Sequence, residues 1–133
     1  MAGTVVIDTV KSSNTGPAIF QNTNGTQIGQ LARAWVNFVG STGAISASFN
    51  TSSVTRIAAG YYTWNFTNGF SDTTYMILGC SDFAPGTNNI GLPGGNTSGT
   101  NGSKTTSSYG VAVLNSAGSL YDAPRVYLAA FGS

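Results

Sequence analysis

Few side chains in this 133-residue sequence are of types that carry out chemistry. It has neither His nor Glu, which excludes a Ser-His-Asp triad and a His-rich zinc site. The lone Cys80 has no His to act as its base and no second Cys for a disulfide. Two carboxylates about 5 to 10 Å apart can form a glycosidase pair. Asp72 and Asp82, however, follow a turn and a strand and are more simply turn residues. We therefore expect no enzyme, no catalytic residue, no cofactor and no metal site.

One strand offers residues suited to binding instead. From Leu31 to Val39 the even positions are uniformly apolar, so Trp35 is expected on the opposite face, between Arg33 and Asn37. An indole flanked by a guanidinium and an amide suits a subunit contact or a platform on which a sugar ring stacks. Alternatively, Trp35 lies under a neighbouring segment such as the N-terminal arm. The candidate interface or glycan contacts are Arg33, Trp35, Asn37 and Tyr61.

Charge is the unusual feature of the composition. Asp, Glu, Lys and Arg make up 7% of the chain, against about 25% in an ordinary soluble domain. Interface centres are depleted in charge, so we expect partners to cover much of the surface; the alternative is a neutral surface solvated by hydroxyls and amides. The net charge of +1, from scattered basic residues, argues against a nucleic-acid partner. No apolar run approaches the roughly 20 residues of a membrane span, so no membrane partner is expected.

Alternating large apolar and small or polar residues predict the strands that position these side chains. The inward sets expected are Tyr62, Trp64 and Phe66 in Gly60–Thr67, and Ile45, Ala47 and Phe49 in Ala44–Asn50. Cys80 ends another apolar strand and is expected to be a buried thiol. No segment has helical periodicity over three turns. The predicted fold class is all-β: an antiparallel, jelly-roll-like β-sandwich of about eight strands in two sheets.

Composition divides the chain into an N-terminal arm, residues 1–30, and a β-sandwich domain, residues 31–133. The arm holds a β-branched run, Thr4–Val10, and a possible hairpin around Asn24-Gly25, a strong hairpin dipeptide. We expect the arm to leave the sandwich and pack on a neighbour. The alternative is that it supplies two more strands of the same sheet.

The last third of the chain alternates loops with strands. Ser81–Asn89 and Gly94–Ser108 are predicted loops, and the second has no apolar side chain to bury. Tyr109–Asn115 and Pro124–Phe131 are predicted strands, joined by a turn at Ala117-Gly118. The core residues expected in the final strand are Tyr127, Leu128 and Phe131.

Four segments together resemble a module of tailed bacteriophages: Phe20–Gly29, Ala32–Phe38, Ala47–Thr55 and Tyr62–Thr67. This cyanophage-like virion surface module occurs at the distal ends of tail fibres and tailspikes, and as short stand-alone virion proteins. The resemblance covers about the first two-thirds of the chain. The turn Ala58-Ala59-Gly60 departs from the family's more polar turn, and the Gly94–Ser108 loop has no counterpart.

The resemblance implies a trimeric β-sandwich on the outside of a virion. A tail fibre needs a shaft and an attachment segment, and the chain begins at Met1 with neither, so we expect a capsid decoration (cement) protein. It would bind the major capsid protein on the outer capsid surface, with the arm on the shell and the Gly94–Ser108 loop outward. The alternative is a tail-fibre or tailspike domain that binds a host-surface glycan through Trp35 and Tyr61. A carbohydrate-binding module detached from an enzyme is a weaker third possibility.

Overall fold

A computed structural model of the protein describes residues 18–82, 92–95, 104–115 and 117–132, and for residues 92–95 it describes the backbone. The predicted strand Thr4–Val10 and most of the two predicted loops lie outside these ranges. The described strands in chain order are β1 (Ile19–Gln21), β2 (Gln27–Gln30), β3 (Ala34–Phe38), β4 (Ile45–Phe49), β5 (Thr51–Ala58), β6 (Tyr61–Phe66), β7 (Met76–Ser81), β8 (Leu92–Gly95), β9 (Ser108–Leu114) and β10 (Val126–Phe131). Within the described ranges there is no helix of the length and apolarity that a membrane span requires.

The chain forms two compact units, residues 1–31 and residues 32–133. In the first, β1 and β2 pair as an antiparallel hairpin, as predicted. Its turn contains Asn24 and Gly25, with Gly25 at φ 77°. The Asn22 side chain accepts hydrogen bonds from the backbone N–H groups of Asn24 and Thr26, at 3.0 and 2.9 Å. The turn is therefore held by local bonds.

The second unit contains two antiparallel four-stranded sheets. Sheet I has the order β4-β3-β10-β7, and sheet II has the order β5-β6-β9-β8. The number of strands and sheets agrees with the prediction, and the all-β sandwich is confirmed. Strand β8 was not predicted, since Gly94 and Gly95 belong to the predicted loop Gly94–Ser108. Of the six neighbouring pairs in these two sheets as described, three join strands that follow each other in the chain: β3-β4, β5-β6 and β8-β9. Strand β10, from the far end of the chain, inserts between β3 and β7.

The core lies between the two sheets. Trp64 and Tyr62 of β6 are fully buried, and the ring of Tyr62 meets that of Phe38 edge-on, with centroids 5.0 Å apart. The predicted inward sets of β3 and β6 are confirmed. The buried hydrophobic cluster comprises Ala34, Val36, Phe38, Tyr62, Trp64, Phe66, Phe70, Tyr75, Tyr109, Val111, Val113, Ala123, Val126, Leu128 and Ala130.

In three other strands, some residues that were predicted to be buried are not. Ile45 and Phe49 of β4 are 38% and 55% exposed, so they are not the core residues expected. In β10 the buried residues are Val126, Leu128 and Ala130; Leu128 was predicted correctly, but Tyr127 and Phe131 lie on the outer face. Cys80 is exposed, not buried. A two-residue period defines two faces without saying which is inward, and a shift of one residue exchanges them.

Asn50 turns the chain from sheet I into sheet II. It lies between β4 and β5 and has φ 52°, a left-handed conformation that Asn adopts more readily than most residues. Its Nδ2 donates to the carbonyls of Arg33 and Asn68, at 3.1 and 3.0 Å, and its Oδ1 accepts from the N–H of Asn68 at 2.7 Å. These bonds fix the corner that places β4 at the edge of sheet I.

Asp122 anchors the loop before β10 to the β5–β6 hairpin. Arg56 donates to its carboxylate from Nη2 at 2.6 Å and from Nε at 3.2 Å. The buried Tyr62 hydroxyl donates at 2.6 Å and the Gly60 N–H at 2.9 Å. Burial alone would raise the pKa of Asp122, but these hydrogen bonds outweigh it and lower the pKa. The cluster is therefore internally satisfied and has a structural role.

Candidate functional site: a groove on the outer face of sheet I

The outer face of sheet I is apolar along its whole width. Strand register places Phe49, Trp35, Ala129 and Leu78 in one row across β4, β3, β10 and β7. Trp35 is 40% exposed, and Phe49, Met76 and Leu78 each more than half exposed. The adjacent row is Ala47, Asn37, Tyr127 and Cys80. Exposed large apolar residues that are contiguous mark interaction sites, whereas scattered ones do not.

A groove of about 520 Å³ runs over these rows. We call it the Trp35 groove. The small side chain of Ala129 separates Trp35 from Leu78 in the register, which leaves a depression between two large side chains. The volume lies within the roughly 300–1,000 Å³ typical of ligand sites. The groove is lined by Trp35, Val36, Asn37, Ala47, Leu78, Gly79, Cys80, Tyr127, Leu128 and Ala129.

Polar groups concentrate at one end of the groove. The Tyr127 hydroxyl donates to Asp82 Oδ2 at 3.3 Å, and Arg125, two residues before Tyr127, donates to the Ser46 hydroxyl. Burial and Asp82 both raise the pKa of Tyr127. The groove thus passes from an apolar end at Trp35 and Leu78 to a polar rim at Asp82 and Arg125.

Asn37 is the polar side chain in the middle of the groove. Its Oδ1 is shielded from solvent and accepts no hydrogen bond from the described residues. Asn37 pairs across the sheet with Ala47 on one side and Tyr127 on the other. A buried polar atom without a partner is uncommon in folded proteins. Because this oxygen has almost no accessible surface, it is an unsatisfied atom within the sheet and not a contact open to the groove.

The predicted contact residues do not form a single patch. Trp35 and Asn37 lie together in the groove. Tyr61 is on sheet II, on the face opposite to the buried Tyr62. That outer face is polar: Asn65 donates to the Ser53 hydroxyl across the strands at 2.9 Å. The two sheets therefore present chemically different outer surfaces.

Arg33 is engaged at one end of the sandwich. Its Nη2 donates to the carbonyl of Gly69 at 2.6 Å, and its guanidinium lies 5.1 Å from the centroid of the Phe70 ring. Phe70 in turn stacks on the ring of Tyr75. The ammonium group of Lys104 lies over that Tyr75 ring, 4.4 Å from its centroid. Arg33 thus stabilises the end of the core, a role that the alternation of β3 does not reveal.

The described aspartates have separate partners. Asp72 accepts bonds from the hydroxyl and the N–H of Thr74, which lower its pKa; this is the predicted turn role. Asp82 bonds to Tyr127 and Asp122 to Arg56. The described residues contain no group of three His, Cys, Asp or Glu side chains that could hold a metal ion. What the groove offers is stacking, apolar contact and hydrogen bonding.

Sequence reasoning missed most of the groove. Phe49 was assigned to the core, and the exposed Met76 and Leu78 were not singled out. The sequence of β7 carried no signal for this face, because Ile77 alternates with Met76 and Leu78 and both faces of the strand hold large apolar residues. Tyr127, assigned to the core, is instead the polar link between the groove and Asp82.

Comparison with known proteins found one structural likeness to report. No family model matches the sequence, and no curated protein matches it. Among solved structures, the chain is similar to the phiAB6 tailspike, whose crystal structure is a complex with three-repeated oligosaccharides of Acinetobacter baumannii surface polysaccharide. The TM-score is 0.51 and the identity 14%; the match covers 97% of this chain and 30% of the tailspike chain. The chain therefore shares its fold with part of a tailspike, over less than a third of that protein's length.

Proposed function

We propose that this protein is a carbohydrate-recognition module of a bacteriophage virion, of the tailspike or tail-fibre kind, and that it binds a host-surface polysaccharide in the Trp35 groove. The observation that carries the proposal is the exposed Trp35 in a largely apolar groove of ligand size. Sugar rings have apolar faces that stack on indoles and hydroxyls that bond to amides. The proposal is for binding without catalysis. A trimer, implied by the resemblance to phage modules, would raise the avidity of three weak sites.

The fold likeness supports the tail role over the capsid role. The similar structure is a tailspike solved with surface oligosaccharides. Capsid decoration, with the major capsid protein as partner and the outer capsid as location, is the second candidate. Counting copies per virion by mass spectrometry separates the two: a few copies fit a tail protein, and hundreds fit the capsid.

Replacing Trp35 with alanine is expected to reduce binding to bacterial surface glycans on an array by about tenfold or more, because the stacking surface is lost. Tyr61→Ala is the matched control, since Tyr61 is an aromatic residue on the opposite sheet. It should bind like the unmodified protein. Equal binding by Trp35→Ala, with its melting curve intact, would reject the Trp35 groove as the site.

A further inference from the structure

We infer that the β1–β2 hairpin is an assembly surface, and that it packs against the same hairpin of another copy of this chain. The inference goes beyond sugar binding and does not depend on it. It gives a structural form to the expectation that the arm packs on a neighbour. It is drawn from the number of strands in the hairpin, from the exposure of its apolar side chains and from its lack of charge.

The hairpin has too few strands to be stable by itself. Strands β1 and β2 form a two-stranded sheet, and within the described residues they pair with each other and with no third strand. A two-stranded hairpin alone in water is marginally stable, whereas three or more strands with an apolar face can be stable. The hairpin of a second copy brings the number of strands to four. An identical partner therefore supplies what this sheet lacks.

Large apolar side chains of the hairpin are exposed. The ring of Phe20 lies beside Gly29, its partner across the strands, and is still 51% exposed. The register shift next to this pair leaves Ile28 without a paired residue in β1, and Ile28 is 69% exposed. Leu31, directly after β2, is 50% exposed. Exposed apolar residues this close together mark a contact surface.

The absence of charge in the hairpin fits an identical partner. Residues 18–31 contain no Asp, Glu, Lys or Arg. When copies meet through the same surface around a rotation axis, groups near the axis face their own duplicates, and like charges there would repel. The polar side chains of the hairpin are amides and hydroxyls, which both donate and accept hydrogen bonds and can bond to their own duplicates. The surface is therefore complementary to itself.

Sedimentation velocity of the full chain, over a wide range of concentrations, tests the inference. The unmodified protein should associate. Ile28→Asp should raise the dissociation constant of the assembly at least about tenfold, because it places a charge where an apolar side chain is buried in the contact. Ile57→Asp is the matched control, since Ile57 is an isoleucine of β5 that is 47% exposed. It should associate like the unmodified protein.

Three results would overturn the inference. They are a single-copy species at every concentration, association of Ile28→Asp that equals that of the unmodified protein, and equal weakening by Ile57→Asp. Should Ile28→Asp lower the melting temperature, Ile28→Ala serves as the second variant and should also weaken the assembly. Association that is unchanged in Ile28→Ala would contradict the role given to the hairpin.

Discussion

Gly60→Ala is expected to lose more than about 4 kcal/mol of unfolding free energy, which places it among the most damaging single substitutions. A Cβ atom at Gly60 would lie 2.5 Å from the backbone nitrogen of Tyr121 and 2.7 Å from the carbonyl oxygen of Val113. Both are backbone atoms and cannot move aside as a side chain does. The Gly60 carbonyl also accepts a bond from the Val113 N–H at 2.8 Å, so the hairpin is fixed against β9.

Gly118→Ala separates steric overlap from backbone strain. Gly118 has φ 76° and Gly60 has φ 71°, but no atom of the described residues lies within 4 Å of a Cβ at Gly118. An alanine there carries the left-handed strain alone, about 1–2 kcal/mol. Urea unfolding curves of the two variants measure both values. Similar losses for the two would contradict the close approach of Gly60 to β9.

Removal of the Asp122 charge is expected to lower the free energy of unfolding at neutral pH. It should also make that free energy depend less on pH in the acid range. The folded-state pKa of Asp122 lies below its usual value, because the bonds from Arg56, Tyr62 and Gly60 outweigh burial. A lowered folded pKa gives stability that is present above the unfolded value, about pH 4, and is lost as the pH falls through the folded value. The unmodified protein should therefore lose stability below about pH 4.

Asp122→Asn should be less stable at pH 7 by about 1–3 kcal/mol, because it loses the charge that accepts from Arg56 and from the buried Tyr62 hydroxyl. Its free energy of unfolding should also lack the decrease that protonation of Asp122 causes in the unmodified protein at acid pH. Asp72→Asn is the control: Asp72 is exposed and bonds to Thr74 within its own turn, so a smaller change in the profile is expected. Denaturation midpoints between pH 2 and 7 give the profiles. An acid profile of Asp122→Asn that matches the unmodified protein would contradict the network.

The architecture was predictable because alternation and turn residues act locally. The strands around Trp35 and Trp64, and the Asn24-Gly25 turn, follow from short-range patterns. The inward face was predictable where one set of positions is clearly more apolar, as in β3 and β6. It was not predictable in β10, where Val126 and Leu128 alternate with Tyr127 and Phe131 and both sets are apolar.

The error in β4 has a long-range cause. Its neighbour in the sheet is β3, and Trp35 pairs with Phe49 across the strands. Residues paired in this way lie on one face, so the outward position of Trp35 requires Phe49 to face outward too. The sequence contains both aromatic residues but not their register, which depends on the irregularity beside Asn37 and on the corner at Asn50.

The candidate site was predictable in its centre but not in its extent. Trp35 and Asn37 follow from the alternation of a single strand. Leu78 and Tyr127 join them from β7 and β10, which lie 40 or more residues further along the chain. Arg33 was expected on the same surface but packs against Phe70. A site that spans four strands therefore depends on strand order, which local patterns do not contain.

The two indole N–H signals of the protein give the most direct test of glycan binding in the Trp35 groove. The chain has two tryptophans: Trp35 is exposed, and Trp64 is fully buried with its Nε1 bonded to Thr51 Oγ1 at 2.8 Å. In ¹⁵N–¹H spectra recorded during titration with bacterial surface oligosaccharides, the Trp35 signal should shift, together with the backbone signals of Asn37, Leu78 and Tyr127. The Trp64 signal should stay in place. Bound oligosaccharide with an unmoved Trp35 signal, or shifts confined to sheet II, would contradict the account.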